Sequence, residues 1–242
     1  MAVFQSGRGR IKIEEDFAGI DPDYVWAVGG FQIGDVSVTS VNEGTIESTV
    51  DEPNGVVAIT TDTGDDDNVA LYVGPGRPQD GAMTIVARIK SNSATLGSWF
   101  VGFTETLDKA TPVMPAEFAT ATMTYNGTGG MLGLQWDSDG TVKDWRAVLG
   151  DGGAAKSDSG NGVVAGDTMV ADKYDIVRVI LFPNGGGECY LNEKLIKKFT
   201  TGTLLTPTDL FHPVVMYENR SAAARVVEID FIDVEYGRKW DE

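Results

Sequence analysis

Between Met83 and Lys90 the chain alternates. Met83, Ile85, Ala87 and Ile89 take one side and Thr84, Arg88 and Lys90 the other, with Val86 breaking the pattern. A period of two predicts a strand with one buried face. After a Ser/Asn/Gly connection, Trp99, Val101 and Phe103 repeat the parity, which assigns Trp99 to the core. The run from Tyr174 to Phe182 is almost unbrokenly apolar; Gly185, Gly186 and Gly187 then supply a turn, and Cys189, Leu191, Leu195 and Phe199 share one parity. Matching parity on both sides of a glycine turn predicts an antiparallel hairpin on a buried sheet.

Shorter β-rich runs come earlier: 36–41, 45–50, 56–60 and 69–73, separated by Asn42-Glu43-Gly44, Pro53-Asn54-Gly55 and the acidic turn 63–68. Residues 131–136 and 141–149 flank Asp137-Ser138-Asp139-Gly140, and Asp-Gly between two apolar-aromatic strands is a strong hairpin cue. The segment 113–122, with Pro115 near its start, is the one stretch expected to hold a short helix. Residues 150–162, rich in Gly and Ser, read as an exposed loop, His212 as the start of a strand, and 226–236 as the closing strand. No repeat or linker divides the chain. The expectation is an all-β sandwich of two antiparallel sheets over residues 16–242, preceded by an arm at 1–15.

Charge and cysteine content narrow the function classes. A net charge of −17 over 242 residues argues against nucleic acid and against an anionic membrane face. The arm carries a small basic segment, Arg8, Arg10 and Lys12, on this acidic chain. With Phe4 these residues are the candidate contacts to a neighbouring subunit. The single cysteine, Cys189, excludes an internal disulfide and reads as a small buried hydrophobe. The opening MAVFQSGRGRIKIEEDF holds no apolar segment, so a signal peptide is not expected, and no run reaches membrane-spanning length.

Candidate chemistry is sparse. One histidine, His212, cannot build a zinc site or a convincing catalytic triad, and Gly127, Gly129 and Gly130 lack the Lys-Ser/Thr of a P-loop. Asp62, Asp65, Asp66, Asp67 and Asn68, or Asp137 with Asp139, offer oxygen ligands without the spacing of a calcium loop. Glu228 and Asp230 share a face of the last strand, where a solvated or hydrogen-bonded edge is expected in place of catalysis. Trp136 and Trp145 flank the Asp-Ser-Asp-Gly turn and are the candidate glycan platform, the alternative being a second core layer. No cofactor is expected.

Over residues 15–237 the order of these elements resembles the concanavalin A-like lectin/glucanase jelly roll. The resemblance is carried by EDF near the start, MTIVARIKSNSATLGSWFVGFTET, MLGLQWDSDGTVKDW, the DKYDIVRVILFPNGGGECYLNEKLI hairpin and the closing VVEIDFIDVEY. More narrowly, it is similar to the form found in tailed-phage capsid decoration (cement) proteins. That resemblance implies a non-enzymatic virion protein that bridges major capsid protein subunits on the capsid surface. It also implies a homo-oligomer, with a trimer as first candidate, made in the host cytoplasm. A lectin-like glycan-binding module is the rival class, and a glycoside hydrolase the third. Glucanases of this family place their catalytic carboxylates on a mid-chain strand, where no acids were found in alternation, so their catalytic residues do not carry over.

Overall fold

The computed structural model describes residues 3–7, 10–17, 31–33, 36–40, 44–48, 55–108, 112–127, 129–156, 161–200 and 204–237. These form β1 (Val3–Gly7), β2 (Arg10–Glu15), β3 (Phe31–Ile33), β4 (Val36–Ser40), β5 (Thr45–Ser48), β6 (Val57–Thr60) and β7 (Asn68–Tyr72). A single 3-10 turn, Pro78–Asp80, precedes β8 (Met83–Ser91), β9 (Gly97–Thr104), β10 (Ala116–Ala119), β11 (Thr122–Tyr125), β12 (Met131–Asp137) and β13 (Asp144–Asp151). The rest are β14 (Ala154–Ala155), β15 (Val163–Thr168), β16 (Asp175–Leu181), β17 (Gly187–Leu191), β18 (Lys194–Phe199), β19 (His212–Asn219) and β20 (Val226–Gly237).

Two nine-stranded antiparallel sheets stack as a sandwich. The first runs β1-β2-β20-β8-β16-β17-β18, with β6 also on β20 and β5 on β6. The second runs β14-β13-β12-β9-β19-β7-β4-β3, with β15 also on β13. Alternation decides the first sheet: Met83, Ile85, Ala87 and Ile89 of β8 are buried, as are Val177, Val179 and Leu181 of β16 and Val227, Ile229 and Val234 of β20. They meet Trp99, Val101, Phe103, Leu132, Leu134, Trp136, Val215 and Tyr217 of the second sheet in one continuous core. Each Val, Leu, Ile, Phe or Met side chain among them contributes about 1.5–3 kcal/mol when fully buried.

In the second sheet β9 and β12 are buried along their whole length, so burial does not alternate there. Their outer face carries a second apolar cluster, in which Phe100, Met131, Val214 and Met216 pack under Met114, Phe118, Met123 and Tyr125. This cluster corrects the helix expected over 113–122: the segment is instead half of the β10–β11 hairpin, with Phe118 opposite Met123. Only alternation lays both side chains on the sheet below; a helix would spread them around its circumference. Thr120 turns the chain at φ 63°, and Phe118 N–H is donated to the Asp137 carboxylate at 2.8 Å.

Two further expectations are revised. Leu195 was assigned to the core parity but is 47% exposed. A bulge in the β17–β18 ladder pairs Cys189 with Lys197 but Tyr190 with Leu195, and the inserted residue shifts Leu195 to the outer face. The leading segment read as an arm is a hairpin, and β2 is laid against β20 from Arg10↔Gly237 to Glu15↔Ile232. The cause lies in β20, which is twelve residues long. Only its first part pairs with β6, so the remainder offers an open ladder that β2 fills.

Candidate functional site

The acids on the sheets come first, since any hydrolytic chemistry would need them. Glu228 and Asp230 sit on an interior strand, not the expected edge, because β20 lies between β8 and its partners β2 and β6. Both are neutralised: Lys90 Nζ reaches Glu228 at 2.6 Å, and Arg88 pairs with Asp230. Tyr174 donates its hydroxyl to Glu228 at 2.7 Å, while the Arg88 guanidinium stacks over the same ring at 3.8 Å. This is an ion-paired ladder on an outer sheet face, not a pair of free carboxylates.

A denser acidic group gathers on the outer face of the second sheet, where β12, β19 and β10 meet the 62–68 loop. Its centre is Arg220, whose side chain is only 6% exposed. Arg220 donates to Asp137 at 2.9 Å and to Asp66 at 3.0 Å, pairs with Glu218, and lies 3.8 Å from Glu117. Its contact with Glu218 is an ion pair by distance, without the alignment of a hydrogen bond. Asp137 is fully enclosed and also accepts Phe118 N–H and Asp139 N–H. Four carboxylates therefore share one guanidinium, two of them, Asp137 and Glu218, enclosed with it. Burial pushes the Glu218 carboxyl up to about 8, opposed by Arg220 and reinforced by Glu117. Burial raises Glu117 and Asp139 as well. The cluster staples the β10–β11 hairpin and the acidic loop to the sheet.

The sequence reading did not bring these residues together. It treated Asp66 and Asp137 as crowded turns and did not mark Glu218 or Arg220. The available signal was an acid, Glu218, closing the otherwise apolar run Val214-Val215-Met216-Tyr217. Among the described residues no group of three His, Cys, Asp or Glu side chains is placed to hold a metal.

The candidate glycan platform requires correction. Trp136 and Trp145 are completely buried, and their indole N–H groups are donated to Lys143 O at 2.9 Å and to the Asp175 carboxylate at 3.2 Å. With both ends of the ring satisfied inside the core, neither has a face left for a sugar. Of the expected subunit contacts, Arg8 lies outside the described residues, and for Phe4 and Arg10 only the strand backbone is described. Lys12 pairs with Glu14 and lies 3.6 Å from Asp233, within its own sheet. His212 is a strand-start residue, its Nδ1 3.2 Å from Val73 O and its ring edge-on to Tyr72. Cys189 is buried, which pushes its thiol up and makes it a poor nucleophile.

One open concavity has mixed chemistry. At one end of the sandwich a shallow depression of about 190 Å³ lies among Ile11, Pro75, Arg77, Asp80, Leu210 and Tyr236. Ile11 and Tyr236 are cross-strand partners on β2 and β20, at the rim of the core. The facing wall is built from the segments after β7 and before β19: Gly76 and Phe211 form an isolated bridge, exchanging backbone hydrogen bonds of 3.0 and 2.9 Å. Gly81, at φ 149°, presses the 3-10 turn against the end of β20, where a Cβ would stand 2.6 Å from Gly237 Cα. That contact holds Asp80 beside the opening.

No family model matches the chain, and no curated protein matches it. Solved structures do. A protein of unknown function, SO2946 from Shewanella oneidensis MR-1, superposes with a TM-score of 0.61 at 11% identity over 99% of this chain and 93% of its own. The potassium-bound carbohydrate recognition domain of Emp46p gives 0.52 at 14% identity, covering 84% and 89%. The fold is a concanavalin A-like jelly roll. The alginate lyase Aly36B shares it, at TM-score 0.52 and 9% identity over 94% of this chain and 96% of the lyase.

Proposed function

We propose that the protein is a lectin-like carbohydrate-binding module that holds a glycan without cleaving it. The fold supports the carbohydrate side, since Emp46p carries its recognition domain on the same sandwich. The observation that carries the non-catalytic side is the neutralisation of the sheet-borne acids. Glu228 is held by Lys90, Asp230 by Arg88 and Asp137 by the enclosed Arg220, while Glu218, beside the same guanidinium, keeps its proton through burial. Retaining hydrolysis needs two carboxyl groups about 5–5.5 Å apart with the sugar between them, and inverting hydrolysis needs room for a water as well. A guanidinium fills that space between Asp137 and Glu218.

Decoration of a virion through the major capsid protein, implied by the sequence resemblance, has no counterpart among the names of these three structures. A glycan array probed with the intact protein is expected to return a small set of related sugars, and uniformly blank spots would overturn the reading.

A further inference from the structure

We propose that the depression bounded by Arg77, Asp80, Leu210 and Tyr236 is a sugar site taking one neutral pyranose ring, an assignment that rests on the carbohydrate reading above. Its lining divides as a sugar does. Ile11, Pro75, Leu210 and the Tyr236 ring supply an apolar floor and wall, with Leu210 46% exposed and so available to a ligand. A pyranose presents C–H groups on one face and hydroxyls at its edge. Arg77 and Asp80 complete the lining and bring one cation and one anion to the rim, with no ion pair of either among the described residues. A guanidinium only donates and a carboxylate only accepts, whereas a hydroxyl does both. Neighbouring sugar hydroxyls can therefore accept from Arg77 and donate to Asp80, which fixes the ring's orientation.

Two features limit the ligand. The space of about 190 Å³ is shallow and suits one ring, so a terminal residue of a longer glycan enters and the rest of the chain stays outside. At the opening Asp80 offsets the Arg77 guanidinium, so the protein charge of −17 sets the wider field and disfavours uronic or sialic acids. The walls are preset: Gln79 N–H is donated to Pro207 O at 3.1 Å, alongside the Gly76–Phe211 exchange. Little ordering is then needed on binding.

The test is titration calorimetry of the intact protein with methyl glycosides of glucose, galactose, mannose and N-acetylglucosamine, and with methyl glucuronide. At least one neutral glycoside is expected to bind, and the glucuronide at least tenfold more weakly than its neutral parent. Arg77→Ala and Asp80→Ala are each expected to weaken binding at least tenfold with thermal unfolding unchanged, and Leu210→Asp to abolish it. Glu117→Gln, at the Arg220 cluster, should leave affinity within twofold. If a sugar binds and both rim variants retain wild-type affinity, the depression is not the site and the carbohydrate reading stands. If no sugar binds the wild type, that reading falls and the site with it.

Discussion

Replacing Arg220 by methionine is expected to lower the unfolding free energy by about 3 kcal/mol, the lower end of the cost of breaking a buried charge pair. The side chain is almost wholly enclosed, and among the described residues it is the cation paired with Asp137, which is itself enclosed. Methionine keeps much of the aliphatic volume, so the loss falls on the uncompensated Asp137 charge and not on a cavity. The cost stays at the low end for two reasons. Glu218 can keep its proton when the guanidinium goes, and Asp66 is 70% exposed, where an ion pair contributes little. For a chain of this length 3 kcal/mol corresponds to roughly a 10 °C fall in Tm, measurable by calorimetry at pH 7. Adding Asp137→Asn to Arg220→Met is expected to recover part of the loss. A single variant within 2 °C of wild type would show that the cluster does not hold the hairpin and loop.

Raising the pH from 5 to 9 is expected to destabilise the protein through Glu218. Burial pushes this carboxyl up to about 8, whereas in the unfolded chain it loses its proton near its ordinary value of 4.5. Between those values the native state keeps a proton that the unfolded state has released, so stability falls with rising pH and levels off above about 8. Linkage sets the scale of the fall at no more than about 5 kcal/mol. Glu117 and Asp139, also raised, push the same way. Self-repulsion of an acidic chain adds a similar trend, and Glu218→Gln separates the two. The variant should match wild type near pH 5 and exceed it at pH 9. Parallel Tm curves across that range would remove Glu218 from the account.

How much of this was legible follows from how each element is buried. β8 has one face in water, so alternation wrote it into the sequence; β16 was read from its apolar run and the glycine turn after it, and Trp99 was correctly assigned to the core. Trp145 stands on β13 beyond a turn, and β9 and β12 are covered on both sides; around Trp136 this erases alternation, so both residues stayed open between a core layer and a glycan platform. What covers β9 and β12 is the β10–β11 hairpin, itself mistaken for a helix because Pro115 and the alanines resemble a helix start. The Arg220 cluster joins residues 66, 117, 137, 218 and 220, and such distant positions meet only when the strand order is known. The depression is assembled from a turn, a loop and two strand ends, none of which carries a periodic signal.

The central claim is that the molecule holds a sugar and leaves it intact. Calorimetric titration with an oligosaccharide selected on the array, followed by mass spectrometry of the same sugar, tests both halves at once. A saturable heat with the oligosaccharide mass unchanged is the predicted result. Shortened or unsaturated sugar products, or no heat with any array-selected glycan, would contradict it.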